Sequence, residues 1–228
     1  MTAENLASVA AAMADKTRAR MLVVLMDGRA WTARELAHAT GVAASTATEH
    51  LHRLVVAGLV SERRQGRHRY IQIAGPHIAS ALESVAALGN HPAAPVRSLR
   101  ESTIKEQLER ARTCYDHFAG ALGIAITDAL VQKGVLIEDS LELTTDGISW
   151  LDESLQTAFQ PGRRAITRAC LDWTERRSHV AGALGAHITT VFKEREWVRQ
   201  ARSSRAVVVT PAGVDALDQC FGIDFAPN

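Results

Sequence analysis

Between Ala43 and Ile73 the spacing of apolar residues changes period, and that change limits the possible folds more than any other feature of the chain. Ala47, Leu51, Leu54, Val55 and Leu59 recur at helical spacing with one buried face, leaving Ser45, Thr46, Thr48, Glu49, His50, His52 and Arg53 turned outward. Ala57-Gly58 closes that helix. Beyond it the period falls to two: Leu59-Val60, a basic tip, then Tyr70, Ile71 and Ile73. The tip, Arg63-Arg64-Gln65-Gly66-Arg67-His68-Arg69, sets four arginines about a glycine turn, a charge pattern suited to the phosphates of a DNA backbone. A helix followed by a two-stranded hairpin with such a tip is the outline of a winged helix-turn-helix.

The residues before this stretch fit that outline. A short helix over 5–14 carries Leu6, Val9, Ala10 and Met13 on one face, and Asp15 is placed to cap a second helix, Lys16 to Met26, that Asp27-Gly28 ends. Thr32, with Glu35 three residues on, has the capping-box arrangement for a helix over Ala33 to Ala39. The turn Thr40-Gly41-Val42 then leads into the recognition helix. After the hairpin, Gly75-Pro76 starts an amphipathic helix through about Leu88, with Ile78, Ala81, Leu82, Val85 and Leu88 apolar. Residues 89–96, GNHPAAPV, read as a linker. The expected organisation is therefore a DNA-binding and dimerisation domain over 1–88, a linker over 89–96, and a C-terminal domain over 97–228.

Residues 5 to 88 resemble the ArsR/SmtB family of bacterial winged-helix transcriptional regulators. The likeness is carried by Asp15, Thr17 and Arg18 before an apolar helix, by Glu35-Leu36-Ala37, by Ser45-Thr46, by His50-Leu51 with Leu54, and by Ala57-Gly58-Leu59-Val60. It implies a homodimeric repressor on a double-stranded, pseudo-palindromic operator, dimerised through the first helix and the helix after the wing, and altered by a signal. The outward residues Ser45, Thr46, Thr48, His50 and Arg53 are the candidates for reading bases. Arg34 and the wing residues Arg63, Arg64, Arg67, His68 and Arg69 are the candidates for backbone contact. Glu49 departs from the family pattern, because a carboxylate there faces phosphate. Metal-sensing family members carry cysteine pairs in the first helix of the motif, or His and Asp ligands along the dimerisation helix. Here the first location has no cysteine, and the second offers only His77 and Glu83, so neither familiar metal site is present; His38 is expected to pack or face solvent.

Charge agrees with this division. The formal net charge of +1 says little, but residues 1–75 hold 10 Lys+Arg against 6 Asp+Glu, whereas 76–228 hold 16 against 19. With 46% apolar residues, 228 positions supply real cores. No signal segment appears, nor any apolar run near the roughly 20 residues that span a bilayer, so a cytoplasmic protein with no membrane partner is expected. Three widely spaced cysteines, Cys114, Cys170 and Cys220, argue against a secreted disulfide scaffold.

The C-terminal 130 or so residues lie beyond the resemblance, and their most informative feature is an internal repeat. One copy reads Cys114-Tyr-Asp116-His117-Phe-Ala-Gly-Ala-Leu-Gly123, the other Cys170-Leu-Asp172, then His179-Val-Ala-Gly-Ala-Leu-Gly185. From His to the aligned Thr is 27 residues in the first (117 to 144) and 31 in the second (179 to 210). Each copy suggests a long helix (about 114–133 and 178–194), a β-hairpin (about 135–144 and 196–209), and a helix capped by Thr144 or Thr145, or by Thr210 with Pro211 in the first turn. The expected fold class is mainly α with small β-hairpins (α+β), with the C-terminal domain duplicated about a pseudo-twofold axis.

Cys114, Asp116, His117, Cys170, Asp172 and His179 form the sharpest chemical grouping in that domain, with Trp173 a candidate pocket wall. Helical spacing would set Cys114 and His117 on one face, and the pseudo-symmetric copies would bring the two sets together. The plain reading buries both cysteines in the core. Three others remain open: a pocket for a small organic effector, a tetrahedral zinc-like ion on two thiolates and two imidazoles, or a reactive thiol sensor. A cysteine-dependent enzyme is the remote alternative, since no phosphate loop, nucleophile elbow or zinc-hydrolase motif occurs. The two Ala-Gly-Ala-Leu-Gly runs set glycines where a helix is expected, for which close crossing of the two helices is the plain explanation and room for a ligand against bare backbone the functional one.

Overall fold

The computed structural model describes residues 2–66, 68–88, 99–201 and 205–226. The expected linker, 89–96, and the wing residue Arg67 lie outside them. Two compact units, Met1–Ala81 and Leu82–Asn228, divide the chain.

The first unit runs α1 (Ala3–Met13), α2 (Lys16–Leu25), β1 (Trp31–Thr32), α3 (Ala33–Thr40), α4 (Ala44–Val56), β2 (Val60–Gln65) and β3 (His68–Ile73). Polar residues fix the helix starts. The Asp15 carboxylate accepts from the Arg18 N–H at 2.9 Å, and Thr32 and Glu35 make the reciprocal capping box that begins α3. Gly41, at φ 71°, ends α3 and turns the chain into α4. β1, β3 and β2 form an antiparallel sheet in that order, with Arg64 opposite Arg69 and Gln65 opposite His68 at the wing tip. Met21, Leu25, Leu36, Leu51, Leu54 and Ile71 are fully buried between helices and sheet. At ~1.5–3 kcal/mol for each large apolar side chain, this core holds the motif rigid. α1 behaves differently: only Ala12 is buried, and Leu6 stays 59% exposed. α5 (Pro76–Ala87) crosses the division between the units.

The second unit runs α6 (Leu99–Arg110), β4 (Arg112–Cys114), β5 (His117–Ala119), α7 (Ala121–Gln132), α8 (Thr145–Leu155), β6 (Arg168–Leu171), β7 (Ser178–Ala181), α9 (Gly182–Glu194), β8 (Val198–Gln200), β9 (Val207–Val209) and α10 (Pro211–Ala216), followed by a π-helical turn, Leu217–Phe221. Hairpin, helix and capped helix thus recur in the same order. Thr144 caps α8 and Thr210 caps α10, each accepting from a glycine N–H three residues on. Phe118, Phe192, Trp197 and Phe221 stack edge-on or tilted through the core.

Here the structure corrects several expectations. Residues 114–119 are the end of β4, a two-residue turn and β5, and 178–181 are β7, not the first turns of long helices. Gly120 at φ 73° and Gly182 at φ 84° break the chain direction just before α7 and at the first residue of α9. Three- and four-residue strands are too short for a clear two-residue period, so Phe118-Ala119 and Val180-Ala181 merged with the helical stripe behind them. The hairpin expected over 135–144 is reduced to one bridge, Leu136 to Leu143, whereas β8 and β9 pair as a true hairpin. Helix α6 had no apolar periodicity to announce it.

Candidate nucleic-acid interface and buried cysteine–histidine centre

On the first unit, α4 buries Ala47, Leu51 and Leu54 and exposes Ser45, Thr46, Thr48, Glu49, His52 and Arg53. Thr48 returns its hydroxyl to the Ala44 carbonyl at 2.9 Å. Arg53 donates to Glu49 at 2.7 Å, one turn away, so the carboxylate that departs from the family pattern is neutralised within the helix. His50 is not an outward base-reading residue. Its side chain is 17% exposed, with Nδ1 3.6 Å from Asp15 and 3.4 Å from the Arg18 guanidinium. Arg18 itself is buried, donating to the carbonyls of Ala11 and Ala12, so this group ties α4 to the end of α1. His52, one position on, is the exposed imidazole.

In the wing, Arg63, Arg64 and His68 are exposed, as is Arg34 on α3. Arg69 is half-buried and ion-paired with Glu62 at 2.6 Å, and Glu62 also lies 3.7 Å from Arg64. The wing therefore presents fewer free cations than its sequence suggests, because a carboxylate two residues before Arg64 turns back on them.

In the second unit the structure brings both copies of the Cys/His grouping to one point. Cys114 is paired directly with His117 across the β4–β5 hairpin, and Cys170 with His179 across β6–β7. The shared helix face expected for Cys114 and His117 is thus a strand pair, which still puts both side chains on the same side. α9 packs across β5 and α7 across β7, so each helix covers the other copy's hairpin. The Cys114 and Cys170 sulfurs lie 3.8 Å apart and both are free thiols. The two imidazoles stand 5.1 Å apart between ring centres. All four side chains are buried, and one ligand atom from each lies within 4.8 Å of the others.

Electrostatics separates the two thiols. The Cys114 S–H beside it and then the two imidazoles hold the Cys170 thiol well below its ordinary value, against the effect of burial. The same partner and then burial push Cys114 well above. For His117 burial works downward, but Asp116 and Cys170 outweigh it and the net shift is upward. The arrangement favours one thiolate beside imidazole.

Behind these groups stands a residue pair that the sequence reading missed in part. Arg112 and Asp172, both with fully buried side chains, are joined at 2.8 Å. Asp172 also accepts from the Gly120 N–H at 2.6 Å and from the Thr174 hydroxyl at 2.6 Å, so β6–β7 is locked to the start of α7. Burial raises the Asp172 carboxyl, but the Arg112 guanidinium and these donors carry it well below the usual carboxylate range. Trp173 lies over the same guanidinium at 4.8 Å and is 37% exposed, a lid on Arg112 instead of a pocket wall. The signal for Arg112 was present: Arg-x-Cys-x-Asp occurs at 112–116 and again at 168–172. The void beside the cluster, lined by Phe118, Gly123, Ile126, Val180, Gly185 and Ile188, has about 10 Å³, room for no more than one water.

A helix-turn-helix domain family model matches residues 13–63. Over 223 residues the chain is 37% identical to YdfF of Bacillus subtilis, an uncharacterized HTH-type transcriptional regulator, and the match spans 96% of this chain and 98% of that one. The chain belongs to the HTH-type transcriptional regulators. The HTH-type transcriptional regulator CmtR of Mycobacterium tuberculosis is 38% identical over 82 residues, 36% of this chain and 69% of its own length. Among solved structures, the homodimeric winged helix-turn-helix DNA-binding domain of Mb0332 from Mycobacterium bovis aligns with a TM-score of 0.36 at 30% identity, covering 40% of this regulator and 88% of that chain. The cadmium sensor CmtR aligns with a TM-score of 0.32 at 32% identity, covering 40% and 99%. The likeness to YdfF thus reaches across both units of the regulator. Among the described residues no helix is long and apolar enough to cross a membrane.

Proposed function

We propose that this regulator works as a homodimeric repressor on a pseudo-palindromic duplex operator, with α4 in the major groove and the wing on the flanking backbone, under a signal read by the second unit. The observation that carries this reading is the alignment of exposed polar side chains. Ser45, Thr46, Thr48, His52 and Arg53 share the solvent side of one helix, and Arg63, Arg64 and His68 stand exposed at the wing tip of the same rigid unit. Dimerisation is supported by α1, whose Leu6 remains open to solvent along with Ala7 and Ala10. A helix that is apolar and uncovered within its own chain gains most from burial against a second copy. The matched hairpins of the second unit support reading it as an internally duplicated effector domain. Arg34 and Arg67 complete the backbone contacts in this reading, and Arg69 contributes once Glu62 yields it to phosphate.

Selection of bound duplexes from a random library, combined with sedimentation of the free protein, tests the proposal. The expected result is an inverted repeat whose half-sites lie about 10 bp or a multiple apart, bound by a species of twice the 24.7 kDa chain mass. Leu6→Asp should yield a monomer with unchanged helix content and lost operator binding. Recovery of a direct or single half-site by a monomer would overturn the reading.

A further inference from the structure

We propose that Cys114, His117, Cys170 and His179 hold one zinc-class divalent cation in a closed tetrahedral shell, each copy of the repeat supplying one sulfur and one imidazole nitrogen. As the signal site of the second unit, this rests on the regulatory reading above. As a metal site, it stands on its own geometry.

Four observations carry it. First, the spacing fits. Two sulfurs bound at ~2.3 Å with a tetrahedral angle between them lie about 3.8 Å apart, and the Cys114 and Cys170 sulfurs are separated by 3.8 Å. Second, His117 Nε2 and His179 Nε2 are buried without a hydrogen-bond partner, and so is His179 Nδ1 on the side of its ring that faces Asp172. A buried donor or acceptor left unmade is costly, and a bound cation removes that cost by taking the lone pair. Third, each ring has a carboxylate on its far side: Asp116 lies 3.2 Å from His117 Nδ1, and Asp172 lies 3.5 Å from His179 Nδ1. A carboxylate behind an imidazole fixes the ring's tautomer and aims its other nitrogen at the metal. The ligand nitrogens are therefore Nε2 of His117 and, in His179, the nitrogen opposite the one facing Asp172. Fourth, the donors are selective. Two thiolates and two neutral imidazoles suit zinc or cadmium and not magnesium or calcium, and the two thiolate charges cancel those of the ion inside the core.

Both sulfurs bind as thiolates, so the protons they carry pass to solvent as the ion enters. With four protein ligands and no open position, the ion fastens the two hairpins together and offers no site for catalysis.

The test uses the full-length chain without DNA, so its outcome is independent of the operator reading. Elemental analysis of protein purified from zinc-supplemented cells should find one zinc per chain, absent from a Cys114→Ser/Cys170→Ser variant and kept in Cys220→Ser. Chelated protein titrated with cobalt(II) should develop the intense visible bands of four-coordinate cobalt and a thiolate charge-transfer band, saturating at one equivalent. His179→Gln should weaken those visible bands while the charge-transfer band persists. Because the serine variants put hydroxyls at two buried positions and can misfold, the wild type supplies a second readout: a thiol reagent should modify two more cysteines after chelation than before. Metal-free protein with no cobalt bands, equal thiol counts in both conditions, or an intact mass two hydrogens light from a Cys114–Cys170 disulfide would each overturn the proposal. A change in operator affinity on adding zinc to the chelated protein, read separately, would tie the ion to regulation; no change would leave the metal site standing and remove its regulatory role.

Discussion

Asp172→Asn is the most direct probe of how the second unit is held together. The substitution keeps the shape of the side chain but turns one of its two oxygens into an NH2, so it removes the charge facing Arg112 at 2.8 Å and leaves an oxygen for either the Gly120 N–H or the Thr174 donors, which the two carboxylate oxygens accept separately. Both side chains are fully buried, so Arg112 is left as an uncompensated cation whose other partners are the Leu108 carbonyl and the Thr174 hydroxyl. Breaking a buried pair by removing one partner costs ~3–5 kcal/mol, a large share of the ~5–15 kcal/mol that stabilises a typical domain. With a urea dependence of about 2 kcal/mol per molar, the unfolding midpoint should fall by about 2 M. Tryptophan fluorescence reports the transition, since Trp173 lies directly over the Arg112 guanidinium. The measurement belongs in excess chelator, which keeps any effect through His179 out of the result. Arg112→Met in the Asp172→Asn background should then cost less than in the wild type, because the stranded charge has gone. A midpoint shift below about 0.5 M for Asp172→Asn would refute the reasoning, since the pair would then be worth no more than a surface ion pair.

Three further outcomes follow from the same structure. Arg63→Ala and Arg64→Ala should each reduce the slope of log affinity against log salt by about 1, weakening binding to any duplex alike, as measured by anisotropy titrations at several salt concentrations. Gly185→Ala should destabilise the second unit by ~1–3 kcal/mol despite alanine's better helix propensity, because its Cβ would stand 2.6 Å from the Val180 carbonyl oxygen and 3.0 Å from His117 Cβ; an unchanged or higher melting temperature contradicts this. Thr32→Ala removes the hydroxyl half of the capping box that starts α3, while the backbone N–H at position 32 still donates to Glu35, and should cost ~1 kcal/mol, read by thermal unfolding of the wild type and variant side by side.

How much of this was legible depended on element length. The helices of the first unit and their caps at Asp15 and Thr32 were readable because three turns of apolar spacing and a short polar cap are local signals. The identity of the Cys/His grouping was readable too, since its residues repeat. Its geometry was not: three-residue strands carry too little period, so Cys114 and His117 were assigned to a helix when a hairpin pairs them. The surroundings of His50 and Arg69 were not legible for another reason. Whether a polar side chain faces solvent or a neighbour depends on residues far along the chain, Asp15 and Arg18 for one and Glu62 across the wing for the other. Arg112 illustrates the same limit: the repeated Arg-x-Cys-x-Asp marks it as part of the grouping, but its burial depends on Asp172, which arrives from 60 residues away.

The repeat then acquires a physical role beyond economy of sequence. Neither hairpin offers more than one sulfur and one imidazole, so no half of the second unit can complete the four-ligand cluster alone. The helices enforce the meeting: a Cβ on Gly185 would come within 3.0 Å of His117 Cβ, so this glycine opens room for the opposite copy's histidine, while Gly123 lets α7 close on the Phe118 carbonyl, 2.6 Å from where a Cβ would stand. Arg112 from one copy and Asp172 from the other hold the same junction from behind. Occupancy of the cluster and docking of the two halves are in this way one equilibrium, and anything that removes the ion or oxidises a thiol acts on the packing of the whole unit instead of on a surface loop. A unit built this way responds to its ligand by tightening or loosening as a body, which is the kind of two-state element that can bias a DNA-reading surface.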